Sequence, residues 1–170
     1  FFVVDEVHDD FVERFAAETR RLRVGNGLSK SEIGPLVSKA ARDKVMEIEI
    51  CRPEKKNALT VGMYESLVAA LEDAQKRGDI RVILIHGQPD AFTSGNDLKD
   101  FLERPALDDG HPAFAFVRTI SATTKPIVAA VSGVCVGVGA TMLLHCDLVY
   151  AGEHATFSLP FVNLGLCPEA

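Results

Sequence analysis

Two short stretches carry residue types and spacings that suit an oxyanion-stabilising site. FTSGNDL runs from Phe92 to Leu98, and KPIVAAVSGVCVGVGATMLLHCD from Lys125 to Asp147. In the second, a β-branched apolar run meets Gly137-Val138-Gly139 and passes into an uncharged helix-forming run, the pattern of a buried strand, a glycine turn and an apolar helix. Together the two suggest a pair of backbone N–H groups aimed at one carbonyl oxygen, where they would stabilise developing negative charge. The same glycines also suit turns and close packing alone, and each motif by itself leaves both readings open.

Other chemistries fit less well. Gly137 and Gly139 would open a dinucleotide fingerprint, but its third glycine position is Met142, and no acidic residue stands at a suitable strand end about twenty residues on. No glycine is followed by Lys and Ser or Thr, so the phosphate-cradling P-loop is absent. The five histidines, at 8, 86, 111, 145 and 154, are scattered, and His145 beside Cys146 lacks the second pair of ligands that a metal needs. Four cysteines, at 51, 135, 146 and 167, form no CxxC and sit among apolar neighbours, predicting reduced, buried thiols in a cytoplasmic compartment, or a peroxisomal or mitochondrial one in a eukaryote. A net charge of −6 and the lack of a basic stripe argue against a nucleic-acid partner. The acidic start FFVVDEVHDD is not an export signal. Residues 126–144 carry no charge and are long enough to span a bilayer, but three glycines and a β-branched first half favour strand, turn and helix over a membrane segment.

To hold such turns the chain must alternate strands with helices. Apolar residues at 7, 11, 12, 15, 16 and 22 predict a helix from Val7 to Arg23, with acids early and arginines late as the helix dipole favours. A second helix is expected from Ser38 to Lys44, and a strand from Val45 to Cys51. Then come a helix from Val61 to Lys76, apolar at 63, 64, 67, 68 and 71, a strand from Arg81 to Gly87, a helix around Ala113 to Thr123 and a strand in KPIVAAVSG. The alternation predicts an α/β layered fold with its site at the strand ends. Charge marks a break near Met46. Of 18 basic and 24 acidic residues, 8 and 8 lie in residues 1–45, so the whole excess of acid falls in residues 46–170.

The two parts resemble different families. FFVVDEVHDDFVERFAAETRRLRVGNGL followed by IGPLVSKAARDKV resembles the aldehyde dehydrogenase segment just downstream of that family's catalytic cysteine, which implies that its nucleophile and general base lie outside this chain. Residues 1–45 are therefore expected to be a remnant, with Met46 as the start of a second domain. From there, RPEKKNALT, FTSGNDL and KPIVAAVSGVCVGVGATMLLHCDLVYAGEHATFSLPFVNLGLCPEA resemble, in order, the enoyl-CoA hydratase and isomerase family, the crotonases. The resemblance implies a spiral of ββα units, truncated here before the C-terminal helical region through which full-length relatives form homotrimers.

It also implies the chemistry. The enolate-binding N–H groups fall at Asn96 and Val138, and contacts to the coenzyme A moiety of an acyl-CoA substrate at Lys55, Lys56, Ala58, Ser94 and Asn96, with Arg52 in the same basic cluster. The two glutamates of the hydratases are replaced by Thr141 and Phe161, neither able to exchange a proton with water at neutral pH. Glu169 instead matches the single catalytic glutamate of the 3-enoyl to 2-enoyl-CoA isomerases, with Phe161 and Leu159 expected to keep water from it. No metal and no tightly bound cofactor is required. A chain that binds acyl-CoA without turnover, and a homologue with residual hydratase chemistry, are the alternatives.

Overall fold

The computed structural model describes residues 43–103, 110–165 and 167–168. The chain divides into two units, Phe1–Arg42 and Asp43–Ala170, and every described residue belongs to the second. The helix expected over Val7 to Arg23 lies outside the described residues, as does most of the one expected from Ser38, whose last two positions, Asp43 and Lys44, form a turn.

Seven strands follow: β1 Val45–Glu49, β2 Val82–His86, β3 Ala91–Thr93, β4 Ile127–Val131, β5 Val134–Val136, β6 Leu148–Ala151 and β7 Thr156–Ser158. Between them lie α1 Val61–Lys76, α2 Leu98–Glu103, α3 Pro112–Ala122 and α4 Val138–Thr141. The strands form two wholly parallel sheets, ordered β1-β2-β4-β6 and β3-β5-β7. After a first pass that runs from β1 through α1, each later pass leaves one strand in the first sheet, turns a short corner and leaves one in the second, with helix between passes. This is the expected spiral of ββα units. Parallel pairs need such crossovers, because a tight hairpin can join only antiparallel neighbours.

The core lies between the first sheet and the helices. Ile83, Ile85, Ile127, Ala129 and Val131 alternate onto the sheet face that meets Tyr64, Leu67, Leu71 and Ala74 of α1 and Phe116 and Ile120 of α3. Buried positions 61, 64, 67, 71 and 74 give α1 one continuous apolar stripe. Thr60 caps its start, the hydroxyl accepting from the Met63 N–H at 3.3 Å. Its far end is held by Lys125, whose Nζ donates to the carbonyls of Ala74, Arg77 and Ile80, tying α1 to the start of β4.

The uncharged stretch from Pro126 is divided among β4, β5, α4 and a 3-10 turn over Met142–His145, and no described helix is long and apolar enough to cross a membrane. The helix expected after the glycine turn is thus a short one. Asp147 ends it, because its carboxylate accepts from the Ile127 N–H at 2.8 Å while its own N–H donates to the Ile127 carbonyl at 2.9 Å, turning the chain into β6. Expectation also needs correcting for the thiols. Cys135 is buried and Cys146 half-buried, and burial pushes them up to about 12 and about 11, whereas Cys51 and Cys167 are exposed.

The core predicts a contrast between two leucines. Leu71→Ala removes a fully buried side chain and should cost about 2–5 kcal/mol in chemical denaturation. Leu102→Ala, at a position 82% exposed, should stay within about 0.5 kcal/mol of the parent.

Candidate active site

Strands β3 and β5 are parallel neighbours, pairing Ala91 with Val134 and Thr93 with Cys135, so their C-terminal ends emerge at the same sheet edge. The SGN turn follows one and the GVG turn the other. The two turns pack directly together. A Cβ at Gly139 would collide with Thr93 Cγ2, and one at Gly95, where φ is +92°, would sit 3.2 Å from the Val136 carbonyl oxygen. The packing reading of these glycines and the functional one therefore coincide, since close approach is what sets the two turns side by side.

The main chain then fixes where the N–H groups face. Leu59 forms a parallel bridge with Asn96: its N–H donates to the Gly95 carbonyl at 2.8 Å, and its carbonyl accepts from the Asp97 N–H at 2.8 Å. In a parallel ladder this pattern turns the N–H of Asn96 itself away from Leu59, to the flank on which β5 lies. Val138 is the first residue of α4, where a helix leaves its N–H groups without intrahelical acceptors. Neither the Asn96 nor the Val138 N–H donates to an acceptor among the described residues. The preceding amide, of Gly137, is occupied by the Ser158 carbonyl at 2.9 Å.

A buried asparagine staples the basic loop to this edge. Asn57 is fully buried with φ +57°, and its Nδ2 donates to the carbonyls of Ala91 at 2.8 Å and Phe92 at 3.2 Å. Its Oδ1 accepts from the Arg52 N–H at 2.7 Å, and its carbonyl accepts from the Thr93 hydroxyl at 2.7 Å. Ser94 adds two further links, its N–H donating to the Lys56 carbonyl at 3.0 Å and its hydroxyl to that of Lys55 at 3.3 Å. Lys55, Lys56, Ala58, Ser94 and Asn96 are thereby gathered at one place, with both lysine side chains exposed.

Arg52 does not join them as a free cation. Its Nη1 donates to Asp97 Oδ2 at 2.7 Å and to the Ala58 carbonyl at 3.0 Å, so its charge closes the loop instead of facing a ligand. Asp97 also caps α2, accepting from the N–H groups of Lys99 and Asp100 at 3.1 and 3.2 Å. The Arg52 guanidinium, aided by the Asp100 N–H, holds the Asp97 carboxyl below the usual carboxylate range.

The remaining expected positions divide. Thr141 is buried, its hydroxyl turned back to the Val138 carbonyl at 3.4 Å, and Phe161 is buried too. Leu159 is 59% exposed and follows β7, an edge strand among the described residues with all three side chains exposed. Glu169 lies outside the described residues. Among the described residues no cluster of His, Cys, Asp or Glu is arranged to hold a metal. Sequence reasoning missed the parts played by Asn57, Asp97 and Tyr64, whose hydroxyl donates to Asn96 Oδ1. For Asn57 a signal existed, since asparagine is among the non-glycine residues most often found at positive φ.

Two measurements check this architecture. Asn57→Ala removes the side-chain donors to the Ala91 and Phe92 carbonyls and the acceptor of the Arg52 N–H, and should lower unfolding free energy by about 2–4 kcal/mol. A lowered folded-state pKa means that the Asp97 contribution is present above the ordinary carboxylate range and lost as pH falls through the depressed value. Carboxyl NMR should therefore show Asp97 titrating below ordinary aspartates, and Arg52→Gln should move that titration upward.

Comparison with known proteins agrees with the geometry. The enoyl-CoA hydratase/isomerase family model matches residues 40–170, and the aldehyde dehydrogenase family model matches residues 1–69. The chain is 36% identical over 151 residues to enoyl-CoA delta isomerase 2 of Rattus norvegicus, covering 85% of this chain and 38% of that one. It is also 36% identical over 132 residues to 2,3-dehydroadipyl-CoA hydratase of Escherichia coli K12, covering 76% and 51%. The structure of OdaA from Pseudomonas aeruginosa superposes with a TM-score of 0.72 at 46% identity, over 74% of this chain and 51% of that one. The chain thus spans about half or less of the length of these relatives. With a matching family model over most of its length, and with the spiral and its paired turns in place, this chain belongs to the enoyl-CoA hydratase/isomerase family.

Proposed function

We propose that residues 46–170 belong to an acyl-CoA enzyme that moves a double bond from C3 to C2 of a 3-enoyl thioester. The observation that carries this reading is the pair of N–H groups, at Asn96 and Val138, without acceptors among the described residues and set on neighbouring parallel strand ends. A thioester carbonyl accepting from both would gain negative charge as C2 loses its proton, and each such donor is worth about 3–4 kcal/mol in the transition state. Glu169 takes a proton from C2, exchanges it with solvent, and delivers one at C4 of the same dienolate, so a single carboxylate suffices and no water is consumed. Lys55 and Lys56, exposed beside Ser94, meet the phosphates of the coenzyme.

Isomerisation is favoured over hydration because Thr141 and Phe161 stand where a hydratase carries its glutamates. Thr141 spends its hydroxyl on a backbone carbonyl, and Phe161 has nothing to exchange with water. The relatives named above include both an isomerase and a hydratase, so this choice rests on those two side chains. A second reading follows from the last pass of the spiral. Leu148, Tyr150, Phe157 and Leu159 are all more than half exposed, which favours a chain that holds the thioester without turning it over. Residues 1–45 we read as an aldehyde dehydrogenase-like segment preceding the domain, supported by the family match there and by the division at Arg42.

Proton NMR of a 3-enoyl-CoA incubated with the chain in heavy water tests the reaction. The double bond should move to C2 with deuterium entering at C4 and no hydroxyl product. Glu169→Gln should reduce turnover at least about 100-fold while coenzyme binding persists. Turnover unchanged in that variant would remove Glu169 from the mechanism. Binding without turnover in the parent chain would establish the second reading.

A further inference from the structure

We infer that Tyr64 is a positioning residue for the reaction, acting through Asn96; the inference rests on the proposed role of the Asn96 N–H. Tyr64 is fully buried in α1, its ring 5.6 Å from that of Phe116, and its hydroxyl donates to the Asn96 side-chain oxygen across 32 residues of sequence. The helix that carries it is itself anchored at this end, since the Val61 N–H donates to Asp100 Oδ2 at 2.6 Å. The hydroxyl is thus presented by a rigid element packed in the core.

Asn96 needs such a hold. An asparagine oxygen readily accepts from nearby backbone N–H groups, offering the chain competing local turns. The residue before it is Gly95 at φ +92°, without a Cβ to restrain the link between them. Leu59 fixes one end of the peptide between residues 95 and 96 by donating to the Gly95 oxygen. Tyr64 fixes the other end by occupying Asn96 Oδ1, which removes that oxygen from competition. The peptide plane is then held at both ends, and its N–H stays on the flank toward β5. Small losses of alignment at such a donor are costly, because an error of about 1 Å in a reacting geometry can cost about 100-fold in rate.

The test is a double-mutant cycle of Tyr64→Phe with Asn96→Ala, which keeps the main-chain N–H while deleting the side chain that Tyr64 grips. Tyr64→Phe should lower kcat about tenfold or more for a 3-enoyl-CoA, with KM little changed, and should add nothing in the Asn96→Ala background. In an amide NMR spectrum of the unliganded chain, Tyr64→Phe should shift the Asn96 backbone and side-chain signals and speed exchange of its N–H. An unchanged kcat, an equal loss in both backgrounds, or unmoved Asn96 signals would overturn the inference. If the parent chain turns over no 3-enoyl-CoA, the proposed reaction falls, and the Asn96 signals alone decide the role of Tyr64.

Discussion

The hydrogen bonds of the Asn57 side chain are the constraint on which the site depends. They join the loop after β1 to the backbone of β3, from 34 to 35 residues away, in a place where water cannot substitute. Because a buried polar group left unpaired costs more than a made bond gains, this staple has one satisfied arrangement. Once it is made, the Thr93 hydroxyl, the Ser94 amide and the Leu59 bridge follow along the same edge, each aligning the SGN turn further. The core of sheet and helices supplies the bulk of the stability, but this polar seam decides where the turn ends up.

Parallel pairing does the rest. Strands that run the same way deliver their C-terminal ends to one edge, so two turns far apart in sequence arrive together. Packing them closely needs glycine at the contact. Charge is used in the same economical way: the Arg52–Asp97 pair closes the loop and caps α2, leaving Lys55 and Lys56 as the exposed cations of that loop. The pair is partly exposed and hence a modest source of stability, but it sets loop geometry through bonds to both a carboxylate and a backbone carbonyl.

What the residues alone determined was the alternation of strand and helix, the α1 stripe and the two glycine turns. These are local properties, written in periodicity and residue type. Tertiary structure decided which groups meet. It drew Arg52 from the cationic cluster to Asp97, buried Asn57, and turned the Asn96 N–H toward β5 by way of Leu59. None of these follows from spacing, because each is a contact across tens of residues whose geometry exists only after parallel strands have been brought into register.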